Sequence, residues 1–571
     1  MTTRSVYLET FGCQMNELDS ELVAGRLAAL GYAFTDDAES ADVVLYNTCS
    51  VRERAEQKVW SRLGDLKKTK RRRPGMVVGV LGCMAERDGT DLMDRMPVVD
   101  LMCGPGELDK LPDLVDNAVR TRESLRATDS NSERVSTKLA ALQGNTSRRS
   151  STLAAATDDL EKLDLSRAIS PIDPVGSENR SAYVRITRGC NKFCTYCVVP
   201  FTRGAEVHRP PGHILDEIKQ LADRGIVEVT LLGQTVNHYR FEHDAAQTID
   251  GVTQPQKGRA FKGGHRRDPL AGDRVTTFAD LLYQIHEQVP AIERLRFVTS
   301  YPRDFGDDVL EVIRDCPRIC RYIHVPAQTG SDRMLKMMNR GYTVAQYDEF
   351  IDRCRHYLDQ PELGRPLMLS GDIIVGFPTE TDADFDATVD LLRRSRYKNC
   401  FIFKYSPRPG TVAYDKIPDD VPEAAKRERN NALLAVQAEI SEAIGREQVG
   451  REFDILIEGP SQKALKAAGL TQREARAAGG GVQLTIGGRT TAETDARAVS
   501  HPAAVLDEPA PDQDSLIQIS GRTDGDLIVF ADIPSAHVEH LRGAIRRVRI
   551  TAARGLSLNG TLCEPIEMPV Q

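Results

Sequence analysis

The chain has 571 residues, enough for roughly three or four domains of ordinary size. Hydrophobic residues make up 40% of it, charged residues make up 28%, and no apolar stretch is long enough to cross a bilayer, so we expect a protein of the cytoplasm without membrane contact. The formal net charge of -8 excludes a general attraction to nucleic acid, so such binding would require local basic patches.

The N-terminal region repeats one local pattern three times: an apolar β-branched run, a short turn with a cysteine, and a helical period. The cysteines of the three turns are Cys13, Cys49 and Cys83, called here the N-terminal cysteines. Alternating strands and helices predict βαβ units and a parallel sheet, whose strands end at one edge. Ligands bind at that edge, so the three thiols could share an iron–sulfur cluster. They could also be ordinary buried cysteines, which pack as small hydrophobic residues.

Two segments have the composition of linkers or insertions. Residues 124–180 are rich in Ser, Thr, Asn, Asp and Arg with few aromatic residues, which is typical of a linker. Residues 241–275 are similar, and we interpret them as an insertion. We therefore expect an N-terminal domain over residues 1–123 and a central domain over residues 181–420.

The central domain contains six apolar runs, from AYVRITRG to CFIFKYS, each followed by a helical pattern. Six β/α units form an incomplete parallel barrel, whose functional groups lie on loops at the C-terminal ends of the strands. Polar residues follow three of the strands at that mouth, although each could be only a cap or turn residue. These residues are Gln234, Asn237, Ser300 and Gln328.

Three further cysteines follow the first strand of this domain in the run R-G-C-N-K-F-C-T-Y-C. They are Cys190, Cys194 and Cys197, called here the central cysteines. A 4Fe–4S cluster normally takes four cysteines, so a trio leaves one iron open to another ligand, as in catalytic metal sites. Zinc would need a fourth Cys or His nearby, and His208 is the only near candidate. The spacing therefore predicts an iron–sulfur cluster with a vacant position.

The C-terminal part of the chain predicts a connector helix and a small β domain. Pro422 opens a helical pattern over residues 421–447. The runs EFDILIEG, DLIVFAD and AIRRVRITAAR then alternate like strands over residues 448–571, interrupted by an insertion at about 462–515. Two basic patches could meet phosphate or could be solvated surface. Their residues are Lys67, Lys68, Lys70, Arg71, Arg72 and Arg73 in the first, and Arg542, Arg546, Arg547 and Arg549 in the second.

Several motifs together resemble the radical S-adenosylmethionine methylthiotransferase family. They are E-T-F-G-C-Q-M-N, N-T-C-S-V-R and G-C-M-A-E-R around the N-terminal cysteines, then C-N-K-F-C-T-Y-C-V-V-P-F-T-R-G, H-V-P-A-Q-T-G-S, D-I-I-V-G-F-P-T-E-T and Y-S-P-R-P-G-T. The resemblance covers most of the chain except the low-complexity segments. It implies an α/β fold class: an N-terminal parallel-sheet α/β domain, a central partial (β/α)6 radical SAM barrel and a small C-terminal all-β TRAM-like domain that binds tRNA.

The resemblance also implies two 4Fe–4S clusters and S-adenosylmethionine as cofactors. The central cysteines would hold the cluster whose open iron chelates S-adenosylmethionine, and the N-terminal cysteines would hold an auxiliary cluster that carries sulfur. One-electron cleavage of S-adenosylmethionine would then supply a radical that takes hydrogen from C2 of an adenosine. Residues expected to contact S-adenosylmethionine are Gln234, Asn237, Ser300 and Gln328.

The implied reaction adds a methylthio group to C2 of N6-dimethylallyladenosine beside the tRNA anticodon. Related enzymes with both cysteine sets act on threonylcarbamoyl-adenosine in tRNA or on an aspartate of a ribosomal protein, but the wording K-F-C-T-Y-C-V-V-P-F favours the first substrate. A non-catalytic iron–sulfur electron carrier is a third interpretation, although it would ligate every iron with protein. We expect a monomer that meets tRNA, a flavodoxin- or ferredoxin-like electron donor, and a sulfur donor or iron–sulfur assembly protein.

Overall fold

Three folded units follow one another along the chain: an α/β domain, a partial barrel and a small closed β barrel. The predicted fold class is confirmed. The computed structural model describes residues 4–50, 53–127, 138–142, 160–166, 180–249, 251–258, 274–467 and 515–564. The remainder of the predicted linker and of the two predicted insertions lies outside these ranges.

The N-terminal domain is a parallel six-stranded sheet with the order β2-β1-β3-β4-β5-β6. Alternate side chains of β1, β3, β4 and β5 enter two separate apolar clusters, one on each face of the sheet, as the two-residue period of a strand requires. The strands are β1 (Ser5–Phe11), β2 (Ala33–Phe34), β3 (Val43–Thr48), β4 (Val77–Gly82), β5 (Leu101–Cys103) and β6 (Leu139–Ala141). The helices are α1 (Gln14–Ala29), α2 (Glu53–Arg72), α3 (Cys83–Asp88), α4 (Thr90–Arg95) and α5 (Leu111–Ala127).

Two short stretches of the predicted linker 124–180 belong to this folded domain. β6 is the edge strand of the sheet, and residues 160–166 are helical. Leu160 and Leu163 are buried in the core of the domain. Composition alone missed these pieces because each contributes only a few apolar side chains within a polar sequence.

Six parallel strands form the central domain, and they are the six apolar runs of the sequence. They lie in two three-stranded sheets with the orders β16-β10-β7 and β17-β18-β19, next to each other where Leu295 bridges Ile319. The strands of this region are β7 (Ser181–Arg185), β8 (Thr187–Arg188), β9 (Val207–His208), β10 (Glu228–Leu232), β11 (Arg240–Glu242), β12 (Thr248–Ile249), β13 (Val252–Thr253), β14 (Gln256–Lys257), β15 (Val275–Thr277), β16 (Arg294–Val298), β17 (Tyr322–His324), β18 (Met368–Val375) and β19 (Asn399–Lys404).

Helices on the outside of these strands complete the partial barrel, and three of them begin with a capping box at a threonine. The helices are α6 (Val199–Thr202), α7 (Pro211–Asp223), α8 (Phe278–Gln288), α9 (Asp307–Asp315), α10 (Asp332–Met337), α11 (Val344–Leu358), α12 (Asp382–Ser395), α13 (Val412–Lys416) and α14 (Glu423–Glu447). The last of them occupies the region predicted as a connector. The described part of the predicted insertion 241–275 forms short strands, one of which, β14, pairs with β9.

The C-terminal unit is a closed barrel with the order β20-β21-β22-β24-β23. Its elements are β20 (Glu452–Pro460), α15 (Gln462–Ala467), β21 (Leu516–Arg522), β22 (Ile528–Pro534), α16 (Val538–Leu541), β23 (Ile545–Arg554) and β24 (Ser557–Leu562).

This barrel docks on the strands of the central domain near their N-terminal ends. Arg294 Nη1 donates to the Arg522 carbonyl at 2.6 Å, and Arg296 Nη2 donates to the Thr523 carbonyl at 2.6 Å. Arg296 also pairs with the carboxylate of Glu228, the first residue of β10, at 2.7 Å. The C-terminal barrel therefore lies away from the mouth that carries the central cysteines.

A buried carboxylate on α1 helps to join the N-terminal and central domains. Asp19, on α1, is fully buried and accepts hydrogen bonds from Arg185 Nη1 at 2.9 Å and Arg203 Nη2 at 2.8 Å. Arg185 ends β7, and Arg203 follows α6, so the two arginines flank the central cysteines in sequence. The bridge therefore fixes the loop of the central cysteines against the N-terminal domain.

The helical stretch 160–166 supplies further carboxylates to the same interface. Asp164 accepts from Arg188 Nη2 at 2.6 Å and also pairs with Arg185, and Glu161 accepts from Arg209 Nε at 2.9 Å. All of these side chains are almost completely buried, so each charge needs its partner.

We predict that Asp19→Asn lowers the free energy of unfolding by about 3 kcal/mol, because it leaves the buried Arg203 guanidinium without its carboxylate and removes one of the two carboxylates that pair with Arg185. Urea unfolding followed by the fluorescence of Trp60, the only tryptophan, measures the loss. The exposed residue Asp36 provides a control, since Asp36→Asn should change stability by less than about 0.5 kcal/mol. Equal stability of Asp19→Asn and Asp36→Asn would contradict a stabilising role for the ion pairs of Asp19.

Candidate active site

The central cysteines lie on a tight loop at the C-terminal end of β7. Gly189 opens the loop with φ +68°, and a Cβ there would stand 2.1 Å from the Ala205 carbonyl oxygen, so only glycine fits. The Cys190 amide donates to the Gly204 carbonyl at 3.1 Å, and the Cys197 amide donates to the Cys194 carbonyl at 3.0 Å. These bonds hold the three thiols on one short, fixed piece of backbone.

The surroundings of these thiols fit a bound cluster. Burial raises the pKa of Cys190 to about 11 and also raises the pKa of Cys197, and the neighbouring thiols add to both shifts. Three thiolates in this place therefore need a positive partner, which iron supplies. The Lys192 amide donates to Cys190 Sγ at 3.5 Å and Arg340 Nη1 donates to Cys194 Sγ at 3.4 Å, so donors already face the sulfur atoms.

Single-metal coordination is not supported in the described part of the chain. There, no group of three or more His, Cys, Asp or Glu side chains is placed to hold one metal ion. A cubane cluster does not need such a group, because each thiolate binds a different iron. His208, the fourth ligand considered for zinc, is buried in β9, where burial lowers its pKa to about 4.

Four predicted S-adenosylmethionine contacts lie on loops at the C-terminal ends of the barrel strands, but their side chains differ in availability. Asn237 uses its amide to clamp the backbone of Tyr301, donating to its carbonyl at 3.0 Å and accepting from its amide at 2.9 Å. The buried Ser300 hydroxyl has no hydrogen-bond partner among the described residues. Gln328 has φ +72°, and its backbone N–H donates to the Asp372 backbone carbonyl at 2.8 Å. Gln234 is half-buried.

A buried ionic network at the same mouth was missed by the sequence analysis. Asp304 accepts from His238 Nε2 at 2.6 Å and pairs with Lys192, which lies between two central cysteines. Burial lowers the pKa of His238, but hydrogen bonds to Asp304 and Glu206 outweigh it and raise the pKa overall. This contact could not be predicted from the sequence, because the His and Asp residues lie in separate motifs and come together only in the folded barrel.

The N-terminal cysteines lie in adjacent turns at the C-terminal edge of the sheet, after β1, β3 and β4. The turns are close: the Cys49 amide donates to the Phe11 carbonyl at 2.9 Å, and a Cβ on Gly12 would stand 2.9 Å from the Cys49 Cβ. Two asparagines of the quoted motifs join the turns, with Asn16 Nδ2 donating to Asn47 Oδ1 at 3.0 Å.

Cys103 ends the next strand of the sheet, β5, but is not part of this trio. Its thiol donates to the Glu107 carbonyl at 3.1 Å. Burial raises the pKa of this thiol, and the carboxylates of Asp109, Glu107 and Glu86 raise it further. Accumulated negative charge disfavours a further thiolate at this position.

Helix α6 connects the two cysteine trios. It begins two residues after Cys197 and has only four residues, about 6 Å of helix. The helix packs against α3, which begins at Cys83, and the charge of Arg203, the next residue, acts on both Cys83 and Cys13. The segment V-V-P-F-T-R-G thus leads directly from one trio to the other.

Neither predicted basic patch reaches the mouth of the barrel. Arg547 and Arg549 are exposed on β23, where they pair with Asp454 and Glu452 of β20 at 2.8 and 2.6 Å. In the first patch, Arg73 Nη1 donates to the Ala41 carbonyl just before β3, at the edge of the sheet opposite the N-terminal cysteines.

Comparisons with known proteins agree with this arrangement. Residues 5–104 match the uncharacterized protein family UPF0004, and residues 184–392 match the radical SAM superfamily. A relative from Rhodopirellula baltica, named tRNA-2-methylthio-N(6)-dimethylallyladenosine synthase, is 41% identical over 470 residues, which cover 81% of this chain and 86% of the relative. A relative of the same name from Burkholderia thailandensis is 40% identical over 463 residues, 81% of this chain and 87% of its own.

The chain belongs to the tRNA-2-methylthio-N(6)-dimethylallyladenosine synthase family. It is a radical SAM enzyme, a methylthiotransferase, and this superfamily implies a 4Fe–4S cluster and S-adenosylmethionine. A solved structure of the radical S-adenosylmethionine methyltransferase TsrM from Kitasatospora setae aligns with 72% of this chain and 77% of its own, at 15% identity and a TM-score of 0.46. Within the described ranges, no helix is long and apolar enough to cross a membrane.

In this synthase-family chain, we predict that Asn237→Ala lowers the free energy of unfolding by about 2 kcal/mol, because the buried Tyr301 amide loses its acceptor. Gln234→Ala removes a neighbouring amide that has no such bond and should cost less than about 1 kcal/mol. Urea unfolding measures both, and isothermal titration with S-adenosylmethionine tests ligand contact separately. If Gln234→Ala loses stability and Asn237→Ala does not, the proposed role of the Asn237 hydrogen bonds to the Tyr301 backbone is contradicted.

Proposed function

We propose that this chain adds a methylthio group to C2 of N6-dimethylallyladenosine beside the tRNA anticodon. The observation that carries the proposal is the pair of cysteine trios, joined through α6, in a chain about 40% identical to synthases named for this reaction. The same names favour this substrate over threonylcarbamoyl-adenosine and a ribosomal aspartate. An electron carrier is disfavoured because each trio offers only three thiolates.

The central cysteines would hold the cluster that binds S-adenosylmethionine. One-electron reduction of S-adenosylmethionine at such a cluster supplies a radical strong enough to break the inert C2–H bond of adenine. The protein's own contribution is to hold the reactants in place: Asn237 fixes the loop that carries Tyr301, and the Ser300 hydroxyl is available for a hydrogen bond from or to the ligand. The ion pair of Lys192 with Asp304 ties the cysteine loop to the same wall.

The N-terminal cysteines would hold a second 4Fe–4S cluster, which would carry the sulfur to be transferred. Asn16 and Asn47 hold the turns of this trio together, and Thr202 and Arg203 bring it against the central domain. Because α6 leads within a few residues from Cys197 to the surface that packs on the N-terminal domain, both trios would face the same substrate.

A tRNA substrate accounts for the position of the C-terminal barrel. That barrel docks near the N-terminal ends of the central strands, whereas the site lies at their C-terminal ends. A five-residue strand such as β16 spans about 17 Å, so the barrel and the site are at least one strand length apart. A free nucleoside could not contact both places, but a tRNA whose anticodon loop enters the mouth could. Phosphate contacts would then position the tRNA while the splayed base is read in the site. We propose that the enzyme works in the cytoplasm, with a flavodoxin- or ferredoxin-like electron donor and a separate sulfur or cluster donor.

The reaction is tested by mass spectrometry of tRNA nucleosides from cells that lack the gene, with and without this protein restored. We expect the methylthio group to return on dimethylallyladenosine. Its appearance on threonylcarbamoyl-adenosine, or on a ribosomal aspartate instead, would replace the substrate assignment.

We further predict that alanine at any one of the six cysteines of the two trios abolishes this product in the same cells. Cys103→Ala is the matched control, since Cys103 ends a strand of the same sheet but lies outside the trio, and it should retain the product. Full product from Cys49→Ala would refute the auxiliary site.

A further inference from the structure

Arg340 is a buried arginine that faces a central cysteine. Its side chain is almost fully buried, with Nε donating to the Tyr342 hydroxyl at 3.1 Å and Nη2 donating to the Pro326 carbonyl at 3.1 Å. Nη1 donates to Cys194 Sγ at 3.4 Å. Among the described residues, no carboxylate forms an ion pair with it, and the groups that act on its charge are three tyrosines and Cys194.

A buried guanidinium normally has an anionic partner, because the loss of hydration is costly. Among the described groups that act on the charge of Arg340, Cys194 is the one that would carry negative charge as a ligand of a cluster. The charge of Arg340 is therefore complementary to the group that the central cysteines would hold.

The turn that carries Arg340 also holds the cysteine loop. The Thr195 amide donates to the Met338 carbonyl at 3.1 Å, and the Thr195 hydroxyl donates to the Met337 carbonyl at 2.9 Å. Asn339 Nδ2 donates to the Phe193 carbonyl at 3.0 Å. Residues 337–340 thus contact three successive residues of the loop, and Cys194 is the middle one.

Aromatic rings keep the guanidinium in place. Its central carbon lies 4.6 Å from the centroid of the Tyr301 ring and 5.3 Å from that of the Tyr342 ring, within the range of cation–π attraction. Tyr301 is the residue whose backbone Asn237 clamps. The position of Arg340 is therefore set by the same wall that lines the mouth.

We propose that Arg340 is a positioning residue that sets the reduction potential of the cluster on the central cysteines. The inference rests on the proposed function, which assigns a cluster to these three thiols. Such a cluster with three thiolates is negatively charged and becomes more so when it gains an electron. A fixed positive charge and a hydrogen bond to a ligating sulfur stabilise the reduced form more than the oxidised form, and so raise the potential. Arg340 thereby eases reduction of the cluster by the electron donor, the step that must precede radical formation.

The test is an EPR-monitored redox titration of the full chain in which the N-terminal cysteines are replaced by alanine, so that only the central cluster contributes. Arg340→Gln removes the charge with similar bulk, and Arg340→Lys keeps the charge. Asn339→Ala removes a hydrogen bond of the same turn and strains its left-handed backbone without changing any charge, so it controls for local disturbance. Iron content and circular dichroism are measured for each variant.

We expect Arg340→Gln to shift the midpoint potential to more negative values at unchanged iron content, while Arg340→Lys stays closer to the parent and Asn339→Ala matches it. An unshifted potential in Arg340→Gln, or an equal shift in Asn339→Ala, overturns the proposal. If Arg340→Gln fails to hold iron, the iron content of Arg340→Lys decides. A full iron content in Arg340→Lys supports the role of the charge. Loss of iron from Arg340→Lys that is still folded overturns the proposal. Absence of a cluster from the parent would contradict the proposed function instead.

Discussion

The placement of both cysteine trios depends on the ion bridge of Asp19. This buried carboxylate lies on α1, the helix that begins directly after Cys13, and it binds Arg185 and Arg203 on either side of the central cysteines. Breaking a buried pair by removing one member is far more costly than losing an exposed one. The bridge therefore holds one trio in fixed register with the other, and the short helix α6 then completes the connection between them.

Much of this fold could be predicted because its signals are local. Each buried strand is a continuous apolar run followed by a helical period, and the three turn cysteines meet because parallel strands end at one edge. The contacts that complete the site are not local: Arg340 and Cys194 are separated by 146 positions, and Asp304 and Lys192 by 112. Residues 160–166 were not predicted to be part of the fold, because they contribute two buried carboxylates, and acidic residues in a polar sequence normally indicate an exposed segment.

The two basic patches are the opposite case. They are evident in the sequence, but the sequence does not decide between phosphate binding and a solvated surface. Arg547 and Arg549 of β23 form cross-strand pairs with carboxylates of β20, so the charge of these two arginines is already balanced locally. Exposed pairs of this kind contribute little to stability, and they can exchange partners for phosphate at small cost. The more informative observation is where the C-terminal barrel docks, since its separation from the mouth suits a substrate as large as tRNA.

We propose that each of the two cysteine trios binds its own cubane cluster through three thiolates. Mössbauer spectroscopy of the anaerobically prepared, iron-loaded protein tests this most directly. We expect two 4Fe–4S clusters per chain, with one remaining when Cys13, Cys49 and Cys83 are all replaced by alanine. A single cluster in the unaltered chain, or zinc in place of iron, would contradict it.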